Sequence, residues 1–406
     1  MLRIIKILMS FCLVLGAFSC TQDNSFKLAP PKKVDDVKNN TGGGGSGGNG
    51  GGSTDSDAAR LARLGQTPIV CVYLTDYTTE SEFPDETEIR YYTHINYGHA
   101  RFENKKEGTG FVIANPNYLK RLAAYKTKYP KLKILLMIGG WGKNADGFSM
   151  MARDPDKRKA FCQNCAKACD EYGIDGVDLD WEYPGYGAKD GDYVNGYSTD
   201  DEKNFTILVK ELREALGVNR LISYAASDSG KYMDHKAALE YVDYINVMTY
   251  SMGDPPYRHN SPLYKSFQNP RGGAESIEIF YGKGVPYNRM NYGIAYYGHG
   301  DGTVYPSSVQ YWRINDILTK GTWTKDGKTH DVTGYNKRYW DATGMVPYLG
   351  DASGRMYASY EDLESIEIKI KYIKNKGLLG AFGWEYREDE ATGTLRHAVF
   401  NGLRGK

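Results

Sequence analysis

Ile174-Asp175-Gly176-Val177-Asp178-Leu179-Asp180-Trp181-Glu182 alternates carboxylates with large apolar side chains. Successive side chains of a β-strand point to opposite faces, so Asp178, Asp180 and Glu182 share one face while Val177, Leu179 and Trp181 take the other. An edge strand would not carry that apolar row, and a calcium loop places turn glycines among its ligands instead of a hydrophobic alternation. Like charges roughly 6 to 7 Å apart along a strand repel, and keeping one carboxyl protonated relieves them. A proton held by the outermost group, Glu182, makes a general acid.

Outward from this strand, short apolar runs alternate with helical patterns. The runs are 68–74, 93–98, 132–138, 173–180, 221–226, 242–249, 290–296 and 379–384, with helical patterns between them at 117–128, 154–172, 200–216 and 274–283. Eight strands each followed by a crossover predict a parallel sheet. After residue 60 they fit an α/β fold, a (β/α)8 TIM barrel with a short insertion between the last two strands at about 299–344. A doubly wound open sheet needs a phosphate-cradling glycine turn, and Gly139-Gly140-Trp141-Gly142 lacks its spacing. In a barrel, catalytic groups gather at C-terminal strand ends, where Glu182, Tyr250 and Trp384 fall. The last helix reads as capped by Ser359 with Asp362, striped by Leu363, Ile366, Ile370 and Ile373, and ended by Gly377.

The chain has 406 residues, 41% hydrophobic and 25% charged, as in an ordinary globular protein. Residues 1–20 read as a secretory signal, with Arg3 and Lys6, an apolar stretch from Ile7 to Leu15 too short to span a membrane, and Ala17-Phe18-Ser19-Cys20. Cys20 after a small residue matches a bacterial lipoprotein cleavage site, so lipid attachment at Cys20 and a place in the cell envelope are expected, with plain secretion the alternative. Residues 21–60, with Pro30-Pro31 and the Gly42 to Gly52 tract, read as a flexible tether before a catalytic unit at 61–406. Removing Arg3 and Lys6 from 51 basic residues leaves 49 against 50 acidic, a balance that implies no nucleic-acid partner. Cys162, Cys165 and Cys169 lie at i, i+3 and i+7 between Asp154-Pro155 and Gly173, the buried face of a capped helix and not a metal or disulfide site.

Asp175 to Glu182 followed by Tyr183-Pro184-Gly185 resembles the signature of glycoside hydrolase family 18, the chitinases and endo-β-N-acetylglucosaminidases. Ile138-Gly139-Gly140-Trp141, Met248-Thr249-Tyr250, Tyr292-Gly293-Ile294 with Tyr297-Gly298, Trp340-Asp341 with Val346-Pro347-Tyr348, and Gly380 to Tyr386 stand in family order. The resemblance implies retaining hydrolysis in which the substrate's 2-acetamido group is the nucleophile. Glu182 would protonate the leaving oxygen and later activate water. Asp180 would orient the acetamido and stabilise the oxazolinium charge, Asp178 would share a proton with Asp180, and Tyr250 would hold the acetamido oxygen. Trp384 would floor the reacting sugar, and Trp141, Tyr73, Tyr297, Gly140 and Met248 match other cleft positions. Aromatic faces suit the apolar C–H surfaces of pyranose rings.

Departures from the family pattern bear on the site. Met137-Ile138-Gly139-Gly140 stands where Ser-x-Gly-Gly is usual, which removes a hydroxyl that supports Asp178. Ser251 replaces an aspartate after the tyrosine, with Asp254 placed to compensate. His299 stands where an arginine is common and His99 where a phenylalanine is common, and the insertion is shorter than in deep-cleft chitinases. The resemblance implies a monomer that needs no cofactor or metal, acting on β-1,4-linked N-acetylglucosamine in chitin-type chains. The alternative is cleavage of the chitobiose core of N-glycans by the same chemistry, although Trp181-Glu182-Tyr183-Pro184 is closer to the chitinase branch. A noncatalytic glycan-binding lipoprotein is the competing class, and the presence of Glu182 with both aspartates stands against it.

Overall fold

Eight parallel strands close on themselves, each formed where the sequence runs apolar: β1 (Ile69–Thr75), β2 (His94–Arg101), β3 (Lys133–Gly140), β4 (Gly176–Trp181), β5 (Leu221–Ser227), β6 (Tyr244–Met248), β7 (Met290–Ala295) and β8 (Gly380–Trp384). Each strand pairs with the next in chain order and β8 pairs with β1, which completes a (β/α)8 barrel. The computed structural model describes residues 57–186, 198–325 and 327–405. The expected signal segment, Cys20 and most of the tether lie outside them.

Two packed layers follow from the strand alternation. Val177, Leu179 and Trp181 face outward into the core between strands and helices, where Phe148 stacks on Trp181 at 5.3 Å. The helix Pro155–Tyr172, capped by Asp154 and ended by Gly173, buries Phe161, Cys162, Cys165 and Cys169 in that layer. Burying a side chain of the size of Phe161 contributes roughly 1.5–3 kcal/mol, and the smaller cysteines less. Inside the barrel, apolar Cys71, Tyr73, Leu135, Met137, Tyr244 and Phe382 share space with buried Asn96, Asp178, Ser223, Asn246 and Asn291.

Three boundaries differ from the sequence reading. The expected tether 21–60 gives way to a helix at Asp57–Leu64, held to the barrel because Arg63 Nη2 donates to the buried Asp243 Oδ1 at 2.7 Å. The insertion is larger than 299–344: strands Tyr297–Gly300, Val309–Gln310, Lys337–Asp341, Val346–Gly350 and Met356–Ser359 form one antiparallel sheet after β7. Ser359 belongs to that sheet and does not cap the helix Leu363–Lys376, which is also not the last, since Thr394–Arg404 follows β8. The cap is Asp362, whose Oδ1 accepts from the Ser365 amide at 3.0 Å while Ser365 Oγ accepts from the Asp362 amide. Leu363, expected in the apolar stripe, sits in the first turn at 53% exposure, whereas Ile366, Ile370 and Ile373 are buried and Gly377 ends the helix.

Candidate active site

Asp178 lies at the bottom of the site, fully buried at an inward position of β4. Ser223 Oγ donates to its Oδ1 at 2.5 Å and Asn246 Nδ2 to the same oxygen at 3.1 Å, while the Tyr73 hydroxyl donates to Oδ2 at 2.7 Å. Burial outweighs these bonds and leaves its pKa raised.

Asp180 is the next inward residue, 3% exposed, with Oδ1 meeting no hydrogen-bond partner among the described residues. Burial, then the charges of Glu182 and Asp178, hold its pKa well above the ordinary range. Glu182 follows the last residue of β4 and is in hydrogen-bonding contact with Asp180 and Tyr183. Burial pushes it up to about 7 against those bonds. Asp180 and Glu182 titrate as a pair that keeps a proton towards neutral pH. Asp180 thus feels the charge of Glu182 first and that of Asp178 second. Both Asp178 oxygens accept from donors of other strands.

A cleft of about 540 Å³ opens above this pair, in the range of small-molecule sites. Trp141, Tyr183, Tyr186, Asp228 and Tyr232 line one side, after β3, β4 and β5; Met248, Tyr250 and Ser251 follow β6; Tyr297, Ser308, Trp384 and Glu388 line the side of β7 and β8. Trp141 and Tyr186 are 58% and 54% exposed, with ring centroids 6.5 Å apart, and Tyr183 stacks on Tyr232 at 4.7 Å. Large apolar faces left open on a cleft are a binding surface. The Tyr250 hydroxyl is held neutral by burial and by nearby Tyr297, Asp180 and Glu182.

The structure brings Asp180, Glu182, Tyr250, Trp384, Trp141, Met248 and Tyr297 together on the cleft. Asp178 and Tyr73 lie behind it. Tyr73, expected against sugar, is 1% exposed and spends its hydroxyl on Asp178, with its ring 5.4 Å from Trp384. Gly140 is backbone, not lining. With Gly139 it takes positive φ, and a Cβ at Gly139 would sit 2.3 Å from the Asp180 carbonyl oxygen, so the pair lets β3 end against β4. Asp254 does not replace the missing aspartate: it pairs with His299 Nδ1 at 2.8 Å, outside the cleft lining, while Ser251 shares a 2.7 Å hydrogen bond with the Tyr297 hydroxyl. His99 is tied to Asp76 at 2.6 Å and meets Trp384 edge-on at 6.3 Å. Sequence reasoning missed Ser223 and Asn246 beneath Asp178, and Asp228 and Glu388 on the cleft. The signal for the first two was a lone polar residue inside each of two apolar strands.

A proton-holding carboxyl pair beneath an aromatic cleft at the C-terminal mouth of a barrel defines a carbohydrate-cleaving class of site. The family model for glycosyl hydrolases family 18 matches residues 69–389. Chitinase A1 of Niallia circulans is 33% identical over 309 residues, 68% of this chain and 43% of that protein. Chitotriosidase-1 of Mus musculus is 30% identical over 362 residues, 80% of this chain and 74% of that one. Among solved structures, a family 18 N-acetylglucosaminidase from Paenibacillus barengoltzii superposes with a TM-score of 0.66 at 28% identity, covering 82% of this chain and 99% of the other. This chain belongs to glycosyl hydrolases family 18. It spans less than half the length of Chitinase A1 and 24% of Chitinase ChiA of Flavobacterium johnsoniae.

Proposed function

We propose that this chain hydrolyses the β-1,4 bonds of N-acetylglucosamine polymers or oligomers, chitin-type chains, with retention and with the substrate's own acetamido group as nucleophile. The observation that carries the reading is the Asp180–Glu182 pair, which keeps a proton beside an unpartnered buried carboxylate oxygen at the cleft floor. The reacting sugar rests on Trp384 with its acetamido between the Tyr250 hydroxyl and Asp180. When the acetamido N–H takes over the bond to Asp180, the shared proton is left on Glu182, which donates it to the glycosidic oxygen. The acetamido carbonyl oxygen closes on C1 as the C1–O bond breaks, and the oxazolinium charge faces Asp180. The leaving sugar departs over Trp141, Tyr183, Tyr186 and Tyr232. Glu182, now a carboxylate, takes a proton from the water that attacks C1 and reopens the ring. No cofactor enters this sequence.

The names of the two curated relatives above support a chitin-type substrate. Mass spectrometry of products from N-acetylglucosamine oligomers and, separately, from an N-glycosylated protein tests it. Short oligomers from the first are expected; glycan release that leaves one N-acetylglucosamine on the protein would move the activity to the chitobiose core of N-glycans. Glu182→Gln is expected to stop turnover and keep sugar binding, and unchanged hydrolysis would sink the mechanism. We further infer from the leader sequence that Cys20 is lipidated and anchors the chain in a bacterial cell envelope; metabolic labelling with a fatty acid, lost in Cys20→Ala, is the expected result.

A further inference from the structure

Glu388 ends the short turn Tyr386–Glu388 after β8 and lines the cleft beside Trp384 and Tyr297. Its Oε2 is buried and meets no hydrogen-bond donor among the described residues. The cation that acts on it, Arg387, is committed to Glu385, with Nε to Oε1 at 3.0 Å, and Thr75 Oγ1 donates to the other Glu385 oxygen at 3.2 Å. Burial and the Glu385 charge push Glu388 up to about 8, against Arg387. A buried acceptor with no donor carries a desolvation penalty that a ligand bringing a donor removes. Among the described lining residues, Asp180, Glu182, Asp228 and Glu388 are acidic and none is Lys, Arg or His; Asp228 is paired with Arg271. The described lining therefore offers acceptors and no competing cation, and an ammonium brought beside Glu388 would draw its carboxyl to the ionised form.

Position identifies which part of the substrate Glu388 meets. On the glycosidase reading Trp384 floors the reacting sugar and Glu182 delivers its proton from the end of β4; Glu388 follows Trp384 beyond β8, across the closed barrel from β4 and so on the side away from the leaving group, that of the sugars preceding the reacting one. We propose, resting on the glycosidase reading above, that Glu388 selects a free 2-amine on those preceding sugars, so that the natural substrate class is partially deacetylated chitin with glucosamine on the non-leaving side of the cut. The ammonium group donates to Glu388 Oε2, while the reacting sugar keeps its acetamido for the chemistry.

The test is to digest partially deacetylated chitin of known acetyl content with the full chain and to sequence the products by mass spectrometry. The expected result is glucosamine enriched about threefold or more over chance in the sugars just before the new reducing end, as one charge-assisted hydrogen bond allows. Glu388→Gln is expected to return that position to chance, and Glu388→Asp to keep part of the bias. Random placement by the wild type, or a bias that survives Glu388→Gln, would overturn the proposal. A chain that cuts neither this polymer nor acetylated oligomers removes the glycosidase reading, and calorimetry then decides the inference separately. There, binding of a glucosamine tetramer should weaken about tenfold in Glu388→Gln relative to the acetylated tetramer. Equal losses on the two ligands would refute it.

Discussion

Replacing Tyr73 by Phe removes one hydroxyl from the barrel interior and leaves the ring in place. That hydroxyl donates to Asp178 Oδ2 at 2.7 Å and accepts from Asn246 Nδ2 at 2.9 Å. Asn246 keeps its bond to Asp178 Oδ1, and Ser223 keeps its own, so Oδ2 is the atom left without its donor. A hydrogen bond to a charged group is worth roughly 1.5–3 kcal/mol, so losing it raises the Asp178 pKa further. The Asp178 pKa already lies above its ordinary 3.8 in the folded chain. Stability linked to such a group is fully present below the unfolded value and is lost as pH rises through the folded one. The variant therefore falls behind the wild type as pH rises, and the gap narrows in acid. At about 2.1 cal/mol/K of unfolding entropy per residue, a unit of this size loses about 2–4 °C of Tm at pH near 7. Thermal melts of both proteins near pH 7 and near pH 4 make the comparison. An equal deficit at both pH values, or none near neutrality, would refute the claim that Tyr73 supports an ionised Asp178.

Three further outcomes are expected. Because the Asp180–Glu182 pair loses its proton as pH rises past the value of about 7 held by Glu182, kcat/KM on acetylated oligomers should fall about tenfold per pH unit above it; a profile flat into the alkaline range would contradict the acid role. Asp180→Asn should cut kcat by roughly 10²–10³, as loss of a preorganised charge does, with oligomer binding kept in calorimetry; a loss under about tenfold would exclude it as the group facing the oxazolinium. Gly176→Ala places a Cβ 1.9 Å from the Leu221 carbonyl oxygen, where backbone cannot yield, so the variant should lose roughly 3 kcal/mol or more, seen as insoluble chain or a lowered melt; a wild-type Tm would show that β4 and β5 approach less closely than described.

The barrel and the acid were legible because both rest on local backbone periodicity. The alternation in 174–182 placed Asp178 and Asp180 inside and Val177, Leu179 and Trp181 outside, and that is how β4 lies. The insertion was misjudged because its limits depend on pairing between segments far apart in the chain, Ser359 with His299 and Ala358 with Gly300, which no local pattern marks. Glu388 was passed over because an acid within Glu385 to Glu390 reads as a solvated run until the fold shows it facing the cleft. The support of Asp178 was misjudged for a different reason. Met137 sits beside Asp178 in the β3–β4 register, where a hydroxyl was missed, and it fits because Gly98 has no Cβ: one there would lie 2.7 Å from the Met137 sulfur. A buried carboxylate requires donors, but the strands that supply them are not prescribed. With position 137 filled by a thioether, the donors had to come from other inward-facing positions of the same barrel. Tyr73 on β1, Ser223 on β5 and Asn246 on β6 meet that requirement, so an apolar residue at the expected position was itself a reason to search the inward positions of other strands for polar side chains.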